Sequence, residues 1–529
     1  MKPHSLHYIR NLLLPCLLLS IITGVLSALL ISLFQFAAGQ AVSISHHIYE
    51  TVRTNPIWLP CMILGAAAVG YVSSRILNYS KNSRGGGIPT SIAAIQGVVN
   101  FRGVTSIVLL PFSALLSFLC GLPLGTEGPC VQMGTGVGDR VVRMFGKKKY
   151  KGWRRYIMTG GASAGFSLVT GAPISAIIFS MEELHKRFSP LLFSVASISV
   201  LSSQITAHIL AHFGLRSMGL FHLKALPTLP IALFFLPLIL GILCGGCSVW
   251  FTKLYHKIDQ LIRIKLGKLS VKIKIPLIFV CIALIGFLVS ESLGTGHELI
   301  EHLFERKYVW HLLIIVFLIR AVAMMVANTA GVTGGIFLPT LAFGAIVGAL
   351  FAELLIALNL LQNQHYILFV VIGMTAFLGA SSRIPITACI FAAEGLNGAN
   401  NILPIMIAAT AAFLIVELSG TKDFTDIVIE SKEHAIHKGK KPYDIEVSLT
   451  VRENSFVVNK ELRDILWPAS CAVLSIERAP ENKNNLVIDV GDIITVYYRT
   501  YDPIVTAEEF EILVGDQSEE IDRIMRIVS

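Results

Sequence analysis

Apolar stretches recur along residues 12–418, separated by short polar connectors. A spanning helix needs roughly 20 predominantly apolar residues, so the pattern predicts a polytopic helical membrane protein. The first run, residues 11–38, is too long for a signal-peptide core and many others follow it, so it is expected to be retained as a first helix. Near residue 430 the pattern changes. Ser431, Lys432, Glu433 and His434 open a polar stretch ending at Lys440, Lys441 and Pro442, the composition of a solvated linker. Beyond it Ile445, Val447, Leu449 and Val451 alternate with polar residues, which is strand periodicity. Residues 462–466 predict a short helix, and residues 473–476 and 493–497 predict strands, the second entered through the Gly491-Asp492 turn. The expected organisation is a membrane domain at 1–429, a linker at 430–442 and a small α+β domain at 443–529.

Composition agrees: 54% of residues are hydrophobic and 15% charged, with a mean hydropathy of +0.69, far from soluble proteins. The net charge of +9 comes from 43 basic and 34 acidic residues. The basic residues cluster in connectors: Lys147, Lys148 and Lys149, then Lys151, Arg154 and Arg155; Lys186 and Arg187; and residues 253–274. By the positive-inside rule these connectors face the cytoplasm, and both chain ends are expected there. The basic excess is thus a topology signal, and nucleic acid is not an expected partner; membrane lipid is. The nine cysteines lie mostly in apolar segments, which argues against a disulfide framework. Cys244-Gly245-Gly246-Cys247 has redox spacing but sits inside an apolar helix, where packing is the better reading.

The membrane region repeats itself. Shifted by 210 positions, Gly125, Pro129, Gly134, Val137 and Gly138 fall on Gly335, Pro339, Gly344, Val347 and Gly348. Shifted by 212, Gly161, Ala164, Pro173, Ile174, Ala176, Ile178, Phe179, Glu182 and Leu184 fall on Gly373, Ala376, Pro385, Ile386, Ala388, Ile390, Phe391, Glu394 and Leu396. Internal duplication is common in transporters, whose solute site lies where the halves meet near the midplane. These offsets alone leave open whether the halves are parallel or inverted. Glu127 matches Phe337 and Glu183 matches Gly395, whereas Glu182 has a counterpart in Glu394. The unmatched acids are the better candidates for chemistry, because a carboxylate at membrane depth costs roughly 2.5–3.5 kcal/mol and needs a partner, a proton or a function.

Three glycine-rich turns stand out: Gly85-Gly86-Gly87-Ile88-Pro89, Gly125-Thr126-Glu127-Gly128-Pro129 and Gly335-Ile336-Phe337-Leu338-Pro339. Glycine admits close backbone approach and proline suits the first turn of a helix, so each turn aims unpaired N–H groups and the positive end of a helix at one point. Three such ends would hold an anion without a full positive charge, weakly enough for release. Glu127 adds a titratable group beside them. Gly and Pro are also simply frequent in membrane helices, but broken helices at membrane depth are tolerated only around cavities or inside protein.

In this order the three turns resemble the signature motifs of the CLC family of chloride channels and proton-coupled chloride transporters. Gly160-Gly161-Ala162-Ser163-Ala164-Gly165, Ala172-Pro173-Ile174 and the Glu182-Glu183 pair support the likeness, which covers residues 12–429. The resemblance implies a homodimer with one pore per subunit and two inverted halves of tilted, partly re-entrant helices. The fold class is then an all-α polytopic membrane protein with a small cytoplasmic α+β domain. Glu127 resembles the gating glutamate, which occupies an anion position when ionised and swings aside when protonated. Ile336 and Phe337 resemble the residues whose amides hold the central anion. Glu183 resembles the internal proton-transfer glutamate that marks many exchangers.

Two positions depart from the family pattern. The first motif usually carries a serine whose hydroxyl contacts the anion, and Gly86 stands there; Gly87 remains beside it as an anion-binding candidate. A hydrogen bond to a charged group contributes roughly 1.5–3 kcal/mol, so anion selectivity is left open. The central tyrosine near the end of the membrane region is replaced by Thr425, or by Phe424 if the alignment slips by one. A threonine hydroxyl reaches less far than a phenol, which keeps a passive channel as the alternative. The tail resembles the TrkA C-terminal regulatory type, on residues 443–451, 460–466 and Val490-Gly491-Asp492-Ile493; it implies a small ligand-sensing or dimer-stabilising module.

His297-Glu298-Leu299-Ile300-Glu301-His302 is similar to a zinc-protease helix, but that motif needs histidines four apart and here they are five apart. A solvated connector is the expected reading, with no metal and no enzyme activity. The expectation is therefore a proton-coupled antiporter of chloride or another small monovalent anion, without cofactor, in a bacterial plasma membrane. The site residues are Glu127 and Glu183 for gating and proton transfer, and Gly86, Gly87, Ile336, Phe337 and Thr425 for the anion. Gly85, Ile88, Pro89, Gly125, Gly128, Pro129, Gly335 and Pro339 shape the turns.

Overall fold

A computed structural model describes residues 14–515 except 86, 100, 146–150, 215–218, 222, 306–307, 438–440, 454 and 480–486. Gly86 and the Lys147, Lys148, Lys149 run thus lie outside the described residues. Among the described residues nine helices are long and apolar enough to cross a membrane.

Among the described residues sixteen helices build two halves. The first half holds α1 (Leu14–Thr54), α2 (Leu59–Tyr79), α3 (Ile88–Gln96), α4 (Gly103–Leu119), α5 (Glu127–Phe145), α6 (Arg154–Thr170), α7 (Pro173–Phe179) and α8 (Pro190–His212). The second holds α9 (Phe235–Leu261), α10 (Val271–Leu288), α11 (His297–Glu305), α12 (Trp310–Thr329), α13 (Phe337–Ala357), α14 (Tyr366–Ser381), α15 (Pro385–Gly395) and α16 (Ile402–Leu418). The starts of α5, α6, α7 and α8 precede those of α13, α14, α15 and α16 by 210, 212, 212 and 212 residues. Helix α1, at 41 residues, is roughly 60 Å long, twice a bilayer core, so it runs tilted or extends past it. At the other extreme α3, α7, α11 and α15 have 9, 7, 9 and 11 residues, too short to span, and enter the protein part-way.

Glycine contacts weld each half. A Cβ on Gly134 would lie 2.0 Å from Gly161 O, and one on Gly161 would lie 2.1 Å from Gly134 O, so α5 and α6 touch backbone to backbone. Their counterparts repeat this: a Cβ on Gly344 would lie 2.4 Å from Gly373 O, and one on Gly373 would lie 2.4 Å from Gly344 O. Without a hydrophobic drive between helices in lipid, such close approach is what holds them.

The halves are joined reciprocally. Gly125 and Gly335 exchange both N–H···O bonds at 2.7 Å as an isolated antiparallel bridge. The Glu182 carboxylate accepts from the amides of Ile386 and Thr387 at 3.0 and 2.7 Å, capping α15. The Glu394 carboxylate accepts from the amides of Ile174 and Ser175 at 3.0 and 2.9 Å, capping α7. The end of α7 caps the start of α15 and the end of α15 caps the start of α7, so these equivalent helices run antiparallel, as inverted halves require.

The first helix outlasts its predicted end because no proline interrupts it before Pro56. The predicted linker is partly helical: Asp423 caps α17 (Phe424–Ile436), which runs through residues free of Gly and Pro. The stretch around His297 is α11, with Leu299, Ile300 and Leu303 buried. His297 Nε2 meets Leu220 O at 2.6 Å and His302 Nδ1 meets the Tyr308 hydroxyl at 3.1 Å, so the two rings serve different contacts.

Among its described residues the tail has five strands, β1 (Tyr443–Thr450), β2 (Lys460–Glu461), β3 (Cys471–Glu477), β4 (Val487–Ile488) and β5 (Ile493–Thr500), and helix α18 (Pro503–Val514). One antiparallel sheet has the order β1-β5-β3, and β2 pairs β4. The short helix expected at 462–466 is present as a single 3₁₀ turn, Leu462–Asp464, and stops two residues early. The reason is docking: the Tyr156 hydroxyl donates to Asp464 O and accepts from the Leu466 amide, and Arg187 Nη2 donates to Ile465 O at 2.8 Å. Those backbone groups bond to the membrane domain instead of to a helix. Phe456 adds edge-on contact with Trp153 at 5.4 Å between centroids, and Arg155 pairs with Glu509 at 2.7 Å.

Candidate functional site

Three helix starts meet at one place. Gly87 takes φ 110°, a region open to glycine, where it precedes α3. A Cβ on Gly87 would lie 2.4 Å from Gly128 Cα, and one on Gly128 would lie 2.8 Å from Gly335 Cα and 3.2 Å from Gly87 Cα. The turns before α3, α5 and α13 therefore touch through bare backbone. Pro89, Pro129 and Pro339 each fall in the first turn of their helix, where the missing N–H is no loss. Gly85 N donates to Gly331 O at 3.0 Å, tying the first turn to the end of α12.

Glu127 opens α5 and is fully buried. Neither carboxylate oxygen has a partner of hydrogen-bonding geometry, although the amides of Glu127 and Leu338 turn their partial positive charge toward it. Its Oε2 would be 2.2 Å from a Cβ on Gly125 and 3.3 Å from one on Gly335, so it lies across the bridge that joins the halves. A buried acid left this way is costly unless protonated or faced by fixed dipoles. Three helix N-termini supply such dipoles, and an anion would need the same ones.

Ile336 precedes α13 and Phe337 is its first residue, so their amides belong to the donors that a helix leaves unpaired. The Phe337 ring is buried, edge-on to Phe166 at 5.1 Å and to Phe391 at 5.7 Å between centroids. Phe166 in turn stacks on Phe179 at 4.3 Å. This aromatic packing fixes the start of α13 with two helices of the first half and one of the second.

Glu183 lies elsewhere, in a single π-turn (Ser180–Leu184) that ends α7, on the face of the membrane domain that carries the tail. It is 3% exposed. Thr425 Oγ1 donates to Glu183 Oε1 at 2.7 Å. Thr425 is thus committed to Glu183 and is grouped with it rather than with the turns around Glu127. Lys186, three residues on, takes φ 51°, an uncommon backbone region for a side-chain-bearing residue. Its Nζ pairs with Asp426 at 2.9 Å and faces Asp423 at 3.8 Å.

The structure thus gathers Gly85, Gly87, Ile88, Pro89, Gly125, Glu127, Gly128, Pro129, Gly335, Ile336, Phe337 and Pro339 into one cluster, and Glu183 with Thr425 into another. Three residues went unread in the sequence. Gln132 is fully buried; its Oε1 accepts from Gly87 N at 2.8 Å and its Nε2 donates to Asn82 O at 2.9 Å and Ser106 Oγ at 3.2 Å, which pins the first turn against α5. An amide within a glycine-rich helix was the available signal. Lys432 donates to Arg84 O at 3.2 Å and to the Thr90 hydroxyl, linking α17 to that same turn. Asp423 stands at the cap position of α17, and a cap signal before Phe424 was legible.

The sequence profile described as "Voltage gated chloride channel" matches residues 65–417. Among solved structures, one described as a slow cyanobacterial Cl-/H+ antiporter is 22% identical, with a TM-score of 0.72, over 79% of this chain and 98% of that one. A CLC-type fluoride/proton antiporter is 20% identical, with a TM-score of 0.64, over 77% of this chain and 96% of that one. A eukaryotic CLC transporter is 18% identical, with a TM-score of 0.65, over 84% of this chain and 78% of that one. At these identities the likeness is one of fold.

Proposed function

This chain belongs to the voltage gated chloride channel family, and on that footing we propose that it is a proton-coupled antiporter of chloride or a similar monovalent anion. The observation that carries the reading is Glu127, a fully buried carboxylate without a hydrogen-bond partner where three helix starts converge. Ionised, it competes with the anion for the dipoles and amides of Ile336 and Phe337. Protonated, it gives up that claim, and the anion enters. One location therefore serves a proton and an anion in turn, which is exchange. Glu183 supplies or accepts the proton on the tail-bearing face, read as cytoplasmic from its basic connectors. Two of the structural neighbours carry antiporter descriptions, which supports the reading.

The protein works in this reading as a homodimer in a bacterial plasma membrane, with no catalysis. The tail is a regulatory module of the TrkA C-terminal type: its docking on Tyr156 and Arg187 gives a small ligand bound there a route to the Glu183 turn. A passive channel is the second reading. It is favoured by Thr425, whose short side chain is engaged with Glu183 and offers no bulky ring to close the inner end of the path.

The test is flux in vesicles holding the purified full-length protein. An outward chloride gradient should drive protons inward against their own gradient. Glu127→Gln should abolish proton movement yet leave anion flux, and Glu183→Gln should slow proton movement by about tenfold or more. Chloride flux with no proton movement in the unmodified protein would establish the channel instead.

A further inference from the structure

Glu183 is buried, and the proposed exchange requires protons to reach it from the tail-bearing face. The residues around it contain a second carboxylate placed to do this. Asp423 lies in the turn between α16 and α17, 2% exposed as a residue and 0% exposed in its side chain. Thr425 holds both acids: its hydroxyl donates to Glu183 Oε1 at 2.7 Å and its amide donates to Asp423 Oδ1 at 3.3 Å. The other Asp423 oxygen, Oδ2, is buried without a hydrogen-bond partner. It faces Lys186 Nζ at 3.8 Å, an ion pair too long for a direct hydrogen bond.

Outward from Asp423 the path opens. An open cleft of about 440 Å³ is lined by Asp423, Asp426, Arg383, Glu417, Lys422 and Glu430 among others, while Glu183 is not in its wall. Side-chain exposure is 43% at Asp426 and 0% at Asp423; as residues Asp423 and Glu183 are buried alike, at 2% and 3%, and of the two acids Asp423 is the one that reaches the cleft wall. An N-cap needs one side-chain oxygen, which Oδ1 supplies. The cap therefore leaves Oδ2, its burial and its place between the cleft wall and the Thr425 that holds Glu183 unexplained. Burial pushes the Asp423 carboxyl up from the ordinary carboxylate range; Lys186 opposes this, Asp426 adds to it, and the Thr425 amide and Arg383 oppose it.

We propose that Asp423 is the proton-carrying residue through which Glu183 is loaded from the cleft, resting on the antiport reading above. A hydronium in the cleft gives its proton to Asp423 Oδ2 and leaves as water. The proton passes on to the Glu183 carboxylate, and Asp423 is left ionised opposite Lys186, ready for the next. Lys186 keeps the ionised form tolerable in a buried setting, and the Thr425 hydroxyl holds Glu183 in place to receive.

Asparagine and serine both cap helices, so Asp423→Asn and Asp423→Ser remove the titratable group while keeping the bond to the Thr425 amide; Asp423→Glu keeps the acid. Proton and chloride movement are measured together in vesicles holding each full-length variant, with the pH on the tail-bearing face varied. The expected result is at least a fivefold slower proton rate in Asp423→Asn and Asp423→Ser, deepest at high pH where capture limits, with Asp423→Glu restoring more than half. A proton rate and pH profile in Asp423→Asn or Asp423→Ser equal to the unmodified protein's would overturn the relay and leave the antiport reading standing. Absence of uphill proton movement in the unmodified protein would overturn the antiport reading, and the relay with it.

Discussion

The start of α5 and the start of α13 occupy equivalent places in the two halves, yet one begins with Glu127 and the other with Phe337. The ends of α7 and α15 repeat the contrast. Both carry a glutamate that caps the other half's helix, Glu182 and Glu394, but only the first adds a second acid, Glu183, where the second has Gly395. Backbone contacts and caps are shared; two acids are not. What the halves have in common builds the cradle, because a two-fold joint needs the same groups on both sides. In the proposed exchange, what they do not share gives the passage a direction, because the two ends then handle protons differently.

The strongest test of the shared part lies in the glycine contacts. Gly134→Leu should cost about 3 kcal/mol or more, since the new side chain meets backbone that cannot move away cheaply. Gly344→Leu should behave alike, somewhat less severely, because its Cβ would approach Gly373 O at 2.4 Å rather than the 2.0 Å at Gly134. Both are read as loss of monodisperse protein and a lowered unfolding temperature in detergent. If one half tolerates leucine without loss, the equivalence of the two joints is broken.

The caps come next. Glu182→Ala and Glu394→Ala each remove a carboxylate that accepts two amide bonds, and each should destabilise by about 2 kcal/mol. Glu182 should matter slightly more, because it also accepts from the Thr387 hydroxyl at 2.6 Å. Ser175, the symmetry mate of Thr387, donates its hydroxyl to Thr387 O rather than to Glu394. Thermal unfolding of the two variants side by side decides this; a large loss in one and none in the other would mean that the reciprocity is geometric only.

Much of this was legible before any coordinates. The repeat could be read because glycines and prolines at helix starts and crossings cannot drift without breaking contacts, so Gly134 and Gly344 keep their offset. The three turns could be read for the same reason. Other features could not, because they depend on which residues meet across the fold. Nothing near Glu182 in sequence says that its partner is the start of α15, some 200 residues on. The helix expected at 462–466 stops at Asp464 because the backbone beyond bonds to Tyr156 and Arg187, about 300 positions away, which leaves no local trace. Thr425 was read as facing the anion by alignment to a tyrosine; its contact with Glu183 follows from where α17 begins.

The smallest effect is expected from restoring the missing acid. Gly395 closes α15 at the place matching Glu183, and a Cβ there would meet the Phe391 ring at 2.9 Å, a side chain able to shift a few tenths of an ångström. Gly395→Glu should therefore fold and gain a little helix propensity. In inverted halves the new carboxylate emerges on the opposite face from Glu183. Phe213 stands after α8 where the 212-residue offset places the counterpart of Thr425, and among the described residues the tail docks on the side that carries Glu183, so the added acid lacks the partners that serve Glu183. Proton rate and proton–anion ratio in vesicles should stay within about twofold of the unmodified protein, while Glu183→Gln in the same assay slows protons by about tenfold or more. A Gly395→Glu variant that alters the ratio strongly, or that rescues Glu183→Gln, would show that an acid at either end suffices. The direction of proton loading would then have to come from the shared frame and not from the residues that break its symmetry.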